Sequence, residues 1–351
     1  MKQIKTEDLK GGEILGKPII TSEFSVLLPE ETVLRKEYID KIKELGISVV
    51  YIKESNNLPV EEIVFLRNEV EEVFKNKVKN ILERHTYYNN TELSQLSDTA
   101  EEIITSILEE DEVIDKIYDI KDRSADIYEH SINLCSLATL TALKLKMSRE
   151  VVHDIGVGCL LHDLGLRYLT INYENQDIES LSKVEINEYK KHPVYGYSAV
   201  REEGWLSNLA KNMILYHHER LDGSGYPLRA KEIPFDVAII TVCDVFDEMI
   251  CGIGCPKVKV YEAVEYLKIY SGVKFYPKIV DAFLEFTAVY PVGSRVLLSD
   301  GSMGQVKKQN SDFSDRPVIL LTHDTKGKLL PRGKEIDLTK QNNIFIEKEL
   351  V

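Results

Sequence analysis

The feature that most limits the fold of this chain is a set of ionisable side chains embedded in apolar, helix-forming stretches. His162-Asp163 follows directly on Cys159-Leu160-Leu161, and His217-His218 follows Met213-Ile214-Leu215-Tyr216. Asp244 stands inside Val237-Ala-Ile-Ile-Thr-Val-Cys-Asp-Val-Phe246. A buried carboxylate is costly unless it is paired or bound to metal. None of these runs contains a lysine or arginine, so the pattern points to metal ligation. Five of the eight histidines (130, 162, 192, 217 and 218) fall within 89 residues, each in a helical context or at a helix end.

Helix geometry sharpens this. Adjacent residues on a helix point about 100° apart, so His162-Asp163 and His217-His218 can each straddle a shared centre. The two oxygens of a carboxylate such as Asp163 can serve two metals. Two metals about 3.5–4 Å apart suit phosphodiester hydrolysis, because they stabilise attacking and leaving oxygens together. His153-Asp154 is a second His-Asp pair, but it lies nine residues earlier and therefore faces away from His162-Asp163. Its place just after Ser148, a suitable N-cap, marks it as structural or surface.

Texture divides the chain into four segments. Residues 1–58 read as a small α+β module: Gly11-Gly12 and Pro29-Glu30 punctuate it, residues 37–46 form a short helix closed by glycine, and Ile47–Ile52 is a strand. Residues 59–120 read as a helical connector, with Val70, Val73, Phe74, Val78 and Ile81 at three- and four-residue spacing and a polar break at residues 85–91. Residues 121–287 are the longest helical region and carry most of the histidines. Residues 288–351 form a β-rich tail, with a hairpin around Asp300-Gly301 and a strand at Pro317–Leu321. The fold class expected is mainly α with small β-containing ends.

Charge and cysteine content exclude several roles. With 58 acidic against 44 basic side chains, the formal charge of −14 disfavours extended nucleic acid and anionic membrane surfaces. The N-terminus lacks a continuous apolar signal region, and no run approaches about 18 apolar residues, so neither export nor a membrane span is expected. Five cysteines, mostly among apolar neighbours, read as buried free thiols in a reducing cytoplasm. Cys251 and Cys255 have no second pair to complete a zinc site.

His162-Asp163, the run His217-His-Glu-Arg-Leu-Asp-Gly-Ser-Gly-Tyr-Pro227 and Val242-Cys-Asp-Val-Phe-Asp247 together resemble an HD-GYP domain, a subgroup of the HD metal-dependent phosphohydrolases. Gly225-Tyr226-Pro227 is the tripeptide of that name, and the match covers about residues 121–287. The resemblance implies a helical HD core holding two or three divalent metals, iron or manganese. It also implies hydrolysis of cyclic di-GMP to pGpG or GMP by a metal-bridging hydroxide. Carried over position by position, the ligands are His130, His162, Asp163, His192, His217, His218 and Asp244. Asp126, one turn before His130, matches the carboxylate that binds a third metal in some members. Asp163, Arg167 and Glu219 are the catalytic candidates. Glu219 and, one turn after Asp244, Asp247 are expected to orient imidazoles.

Two departures from the family pattern concern the substrate. The lysine of the family's HDxGK motif is replaced by Leu166, leaving Arg167 one residue later to carry the charge. The arginine-rich stretch after the last aspartate is replaced by residues 251–259, where Lys257 and Lys259 are the available cations. Arg167, Tyr226 and Lys257 are therefore the substrate-binding candidates. Two other readings compete with a cyclic di-GMP phosphodiesterase. One is a catalytically weak module that binds a cyclic dinucleotide or partner protein. The other is an enzyme for a different cyclic or linear dinucleotide. A homodimer or a signalling partner would engage the N-terminal half or the Gly-Tyr-Pro loop. A general nucleotide phosphohydrolase explains the histidines but not that loop.

Overall fold

The computed structural model describes residues 68–88, 92–109, 116–120, 125–171, 177–311 and 313–350 without interruption, together with residues 64 and 66 and parts of 2–53. The expected turns at Gly11-Gly12 and Glu30, the glycine closure at Gly46 and residues 89–91 of the polar break lie outside the described residues, whereas residues 85–88 of that break are helical. The chain divides into two compact units, Met1–Glu61 and Glu62–Val351.

In the first unit, strand β1 (Lys2–Lys5) pairs antiparallel with the strand Val49–Lys53, which also pairs with β2 (Ile14–Leu15). Strands β3 (Ile19–Ile20) and β4 (Val26–Leu28) make a separate ribbon, and helix α1 (Lys36–Glu44) precedes Val49–Lys53, here β5. Ile39 and Ile42, three residues apart, bury on one face of α1 with Leu15, Leu34, Val50 and Ile52.

The second unit is helical. Helices α2 (Asn68–Tyr88) and α3 (Gln95–Leu108) pack onto α4 (Ile127–Lys144) and α5 (Arg149–Leu161). On α2, Phe74, Val78, Ile81 and Leu82 are buried, whereas Val73 is 64% exposed. The expected apolar stripe thus loses Val73, which lies about 100° round the helix from Phe74. Ser148 accepts the Val151 amide and starts α5, as its position suggested. A 3₁₀ segment (His162–Tyr168) follows without a break, then α6 (Lys183–Tyr189), α7 (His192–Val200), α8 (Asn208–Tyr216), α9 (Ala238–Cys251), α10 (Val260–Tyr270) and α11 (Pro277–Phe286). Helices α4 and α9 are buried along almost their whole length, so they form the centre of the unit.

The tail folds as a five-stranded antiparallel sheet: β6 (Arg295–Leu298), β7 (Met303–Asn310), β8 (Phe313–His323), β9 (Leu329–Asp337) and β10 (Ile346–Leu350), in the order β10-β6-β7-β8-β9. Gly301, at φ 86°, makes the expected β6–β7 turn. Residues 116–120 lock this sheet to the helices. The Tyr118 amide donates to Phe286 O at 2.7 Å, and Asp119 accepts Val292 N and Gln309 Nε2, both at 2.8 Å. Among the described residues, no helix is long and apolar enough to cross a membrane. Cys135, Cys159, Cys243 and Cys251 are buried free thiols.

Candidate metal centre

Helix ends converge on one buried point. His130 comes from the first turn of α4, His162-Asp163 from the junction of α5 with the 3₁₀ segment, and His192 from the start of α7. His217-His218 follow α8, and Asp244 lies mid-α9. Gly165 makes this convergence possible, since a Cβ there would overlap the His192 carbonyl oxygen and crowd Gly196 N. The 3₁₀ segment and α7 can approach only because residue 165 has no side chain.

Three of the imidazoles share one local device. The Nδ1–H groups of His162, His192 and His217 donate to the carbonyls of Cys159, Tyr189 and Ile214, three residues earlier, at 2.7, 2.8 and 2.8 Å. His130 Nδ1–H instead donates to the Asp247 carboxylate at 2.8 Å. Each bond fixes the ring and turns its Nε2 inward, the orientation that metal-ligating histidines use.

Asp163 stands between two groups. Its Oδ2 lies 3.2 Å from His162 Nε2, while its Oδ1 lies 3.4 Å from His192 Nε2 and 3.7 Å from His217 Nε2. On the first side, His130 Nε2 is 3.2 Å from both His162 Nε2 and Asp244 Oδ1. On the second, His192 Nε2 and His217 Nε2 are 3.0 Å apart, and His218 completes the set. With their Nδ1 protons committed to carbonyls, neutral His192 and His217 would meet lone pair to lone pair. A cation between them removes that repulsion. Asp244 Oδ2, in a side chain 1% exposed, accepts no hydrogen bond among the described residues. The donor set therefore fits divalent metal: imidazole nitrogens and carboxylate oxygens, with one carboxylate common to both groups.

The electrostatics agree. Burial opposes ionisation of Asp163, but His162 outweighs it and holds the carboxyl below its ordinary range. Burial also opposes charge on His130, yet Asp244 and Asp247 overcome it and raise its pKa well above the usual imidazole value. Burial, then the charge of His162, pushes His217 down to about 3, and burial with His217 depresses His218. The carboxylates thus demand positive charge that the second histidine group cannot supply as protons.

The other candidates take distinct places. Asp126 caps α4: its Oδ1 accepts the amides of Tyr128 and Glu129 at 2.9 and 3.1 Å, and its Oδ2 pairs with Lys75 at 3.0 Å. The expectation of a third-metal ligand therefore meets a carboxylate with both oxygens engaged. Glu219 is fully buried and accepts the amides of Leu228, Arg229 and Ala230 at 2.6, 3.1 and 2.8 Å. Those bonds hold the Gly-Tyr-Pro loop, where an imidazole partner was expected. The loop in turn stacks Tyr226 on His218, ring centroids 4.5 Å apart. Asp247 does contact an imidazole, that of His130. Arg167 donates to Thr86 Oγ1 at 2.6 Å and to the Tyr128 hydroxyl at 2.5 Å, and Leu166 is buried with Ile178 and Tyr189. Lys257 is exposed in the loop after α9. His153 contacts Ser97 on α3, away from the centre.

Glu248 escaped the sequence reading. It offers a ligand atom within 4.8 Å of those of His218 and Asp244, and burial together with Asp244 raises its carboxyl well above the ordinary range. Its spacing of four residues from Asp244 on α9 was the available signal.

Residues 112–279 match the HD domain, and residues 295–351 match the KOW domain associated with the HD domain. A cyclic di-GMP phosphodiesterase of Pseudomonas aeruginosa is 28% identical over 69% of this chain and 59% of its own length. One from Thermotoga maritima is 29% identical over 72% of this chain and 70% of its own. The chain thus spans about three fifths of the Pseudomonas relative. Bd1817, a HDG"Y"P protein from Bdellovibrio bacteriovorus, shares the fold with a TM-score of 0.52 at 19% identity, over 80% of this chain and 97% of that one.

Proposed function

We propose that the chain is a member of the HD-domain family, in its HD-GYP branch, and a metal-dependent phosphodiesterase hydrolysing cyclic di-GMP to pGpG or GMP. One observation carries the reading: a single carboxylate, Asp163, presents one oxygen to each of two buried histidine groups. In this account His130, His162, Asp163 and Asp244 hold one metal, and Asp163, His192, His217 and His218 hold the other. Bound there, two divalent ions, iron or manganese, would polarise the phosphodiester and make water a nucleophile near neutral pH.

The chain's own residues set the conditions for that chemistry. Carbonyl acceptors and Asp247 keep the imidazole nitrogens directed inward. Glu219 anchors the loop that lays Tyr226 over His218, covering that side of the centre from water. Arg167 supports binding of the anionic substrate in place of the missing lysine, because its guanidinium lines a cavity beside the centre. The buried free thiols favour a reducing cytoplasm as the place of work.

The test is product chromatography with cyclic di-GMP, cyclic GMP-AMP and pGpG on protein purified without oxygen and loaded with iron or manganese. Turnover of cyclic di-GMP that disappears in Asp163→Ala is expected. Preferential turnover of another dinucleotide would reassign the substrate, and binding without turnover would favour the signalling module.

A further inference from the structure

Beside the metal centre lies a cavity of about 520 Å³, and one of its walls comes from outside the HD domain. Helix α2 contributes Lys75 and Lys79, one turn apart on one face. The opposing wall is built from the neighbours of the ligands: Asp126 and Tyr128 just before His130, Arg167 just after His162-Asp163, and Tyr189, whose ring is 5.0 Å from that of His192. Building on the phosphodiesterase reading, we propose that this cavity receives the second, non-reacting nucleotide of a cyclic dinucleotide. Lys79 and Arg167 bind its phosphate, and Tyr128 presents a ring to its base.

Charge supports the assignment. A cyclic dinucleotide carries two phosphodiesters, and the metals can serve only the one being cleaved. The other needs cations at a distance from them. Lys75 lies 3.0 Å from Asp126 and 3.6 Å from Glu129 and offsets both carboxylates, while Glu83, also on the cavity wall, accepts the Tyr128 hydroxyl at 3.4 Å. Lys79 Nζ stands 5.7 Å from the Tyr128 ring centre and Arg167 Cζ 6.0 Å from it, so two cations flank one aromatic ring. That grouping matches a nucleotide, with a phosphate for the cations and a base for the ring. Leu166, where the family has lysine, is turned into an apolar cluster with Ile178 and Tyr189. Helix α2 supplies the charge instead, which makes the connector part of the substrate site.

Steady-state kinetics of the metal-loaded protein, residues 1–351, on cyclic di-GMP test this, with metal content measured for each variant. Lys79→Ala should raise KM about tenfold, the effect of one lost charge-assisted contact, with kcat changed less than about twofold. Lys79→Arg should restore KM. Lys77→Ala, on the same helix but paired with Glu102 at 2.7 Å, should leave KM unaltered. A Lys79→Ala KM within about twofold of the parent, at equal metal content, overturns the proposal. If the parent does not hydrolyse cyclic di-GMP, the phosphodiesterase reading fails on its own. Calorimetric binding of cyclic di-GMP then decides the subsite: about tenfold weaker binding by Lys79→Ala supports it, whereas equal binding, or none by the parent, refutes it.

Discussion

Asp247 shows how much of the centre depends on a residue that need not touch metal. Its carboxylate accepts a hydrogen bond from His130 Nδ1–H at 2.8 Å and so turns His130 Nε2 toward Asp244 and His162. Asp247→Asn should weaken metal binding about 10–100-fold, measured by competition with a chelator, because the amide cannot hold the same charge-assisted bond. Unchanged affinity would mean that packing alone orients the ring. Asp126 makes the opposite case. Burial opposes its ionisation, but the Glu129 amide and Lys75 outweigh it and keep the carboxyl below the ordinary range. Asp126→Ala should cost about 1 kcal/mol of stability as a lost N-cap. Metal content should stay at the parent value; loss of one equivalent would identify Asp126 as a ligand. The buried histidine–aspartate cluster was legible in the sequence because polar groups among apolar neighbours need a reason. The commitments of Asp126 and Glu219 were not, since Lys75 and the 228–230 amides reach them through tertiary structure.

Where elements meet, backbone proximity rather than side-chain chemistry sets the geometry. The 3₁₀ segment abuts α7 at Gly165, and a methyl group there would overlap backbone that cannot swing aside. Gly165→Ala should destabilise the protein by about 1–3 kcal/mol and lower metal content, because it drives His192 away from Asp163. A variant with full stability and two metals would contradict that. Gly225 makes a similar contact with the backbone of residues 218–220, which explains a glycine before Tyr226. Periodicity revealed the helices and the β6–β7 hairpin, since burial on one face leaves a repeating mark. It misassigned Val73, and it could not show that α2 would face the cavity, because a solvated lysine and a site lysine look alike in sequence.

Across the whole molecule, the described residues from 64 onward act as one packed unit. Asp119 joins residues 116–120 to the sheet through Val292 and Gln309. Asp119→Ala should leave a buried amide unpaired and cost about 1–3 kcal/mol, lowering the Tm of this unit in calorimetry. The overall charge of −14 acquires a local meaning here, because divalent ions would reverse its sign at the centre. On the proposed function, Asp163 joins two metal sites into one phosphodiesterase centre. The direct measurement is iron or manganese titration of the metal-free protein, with bound metal and cyclic di-GMP hydrolysis followed together. Turnover should appear as the second equivalent binds. Saturation at one metal, or no hydrolysis with two bound, would contradict it.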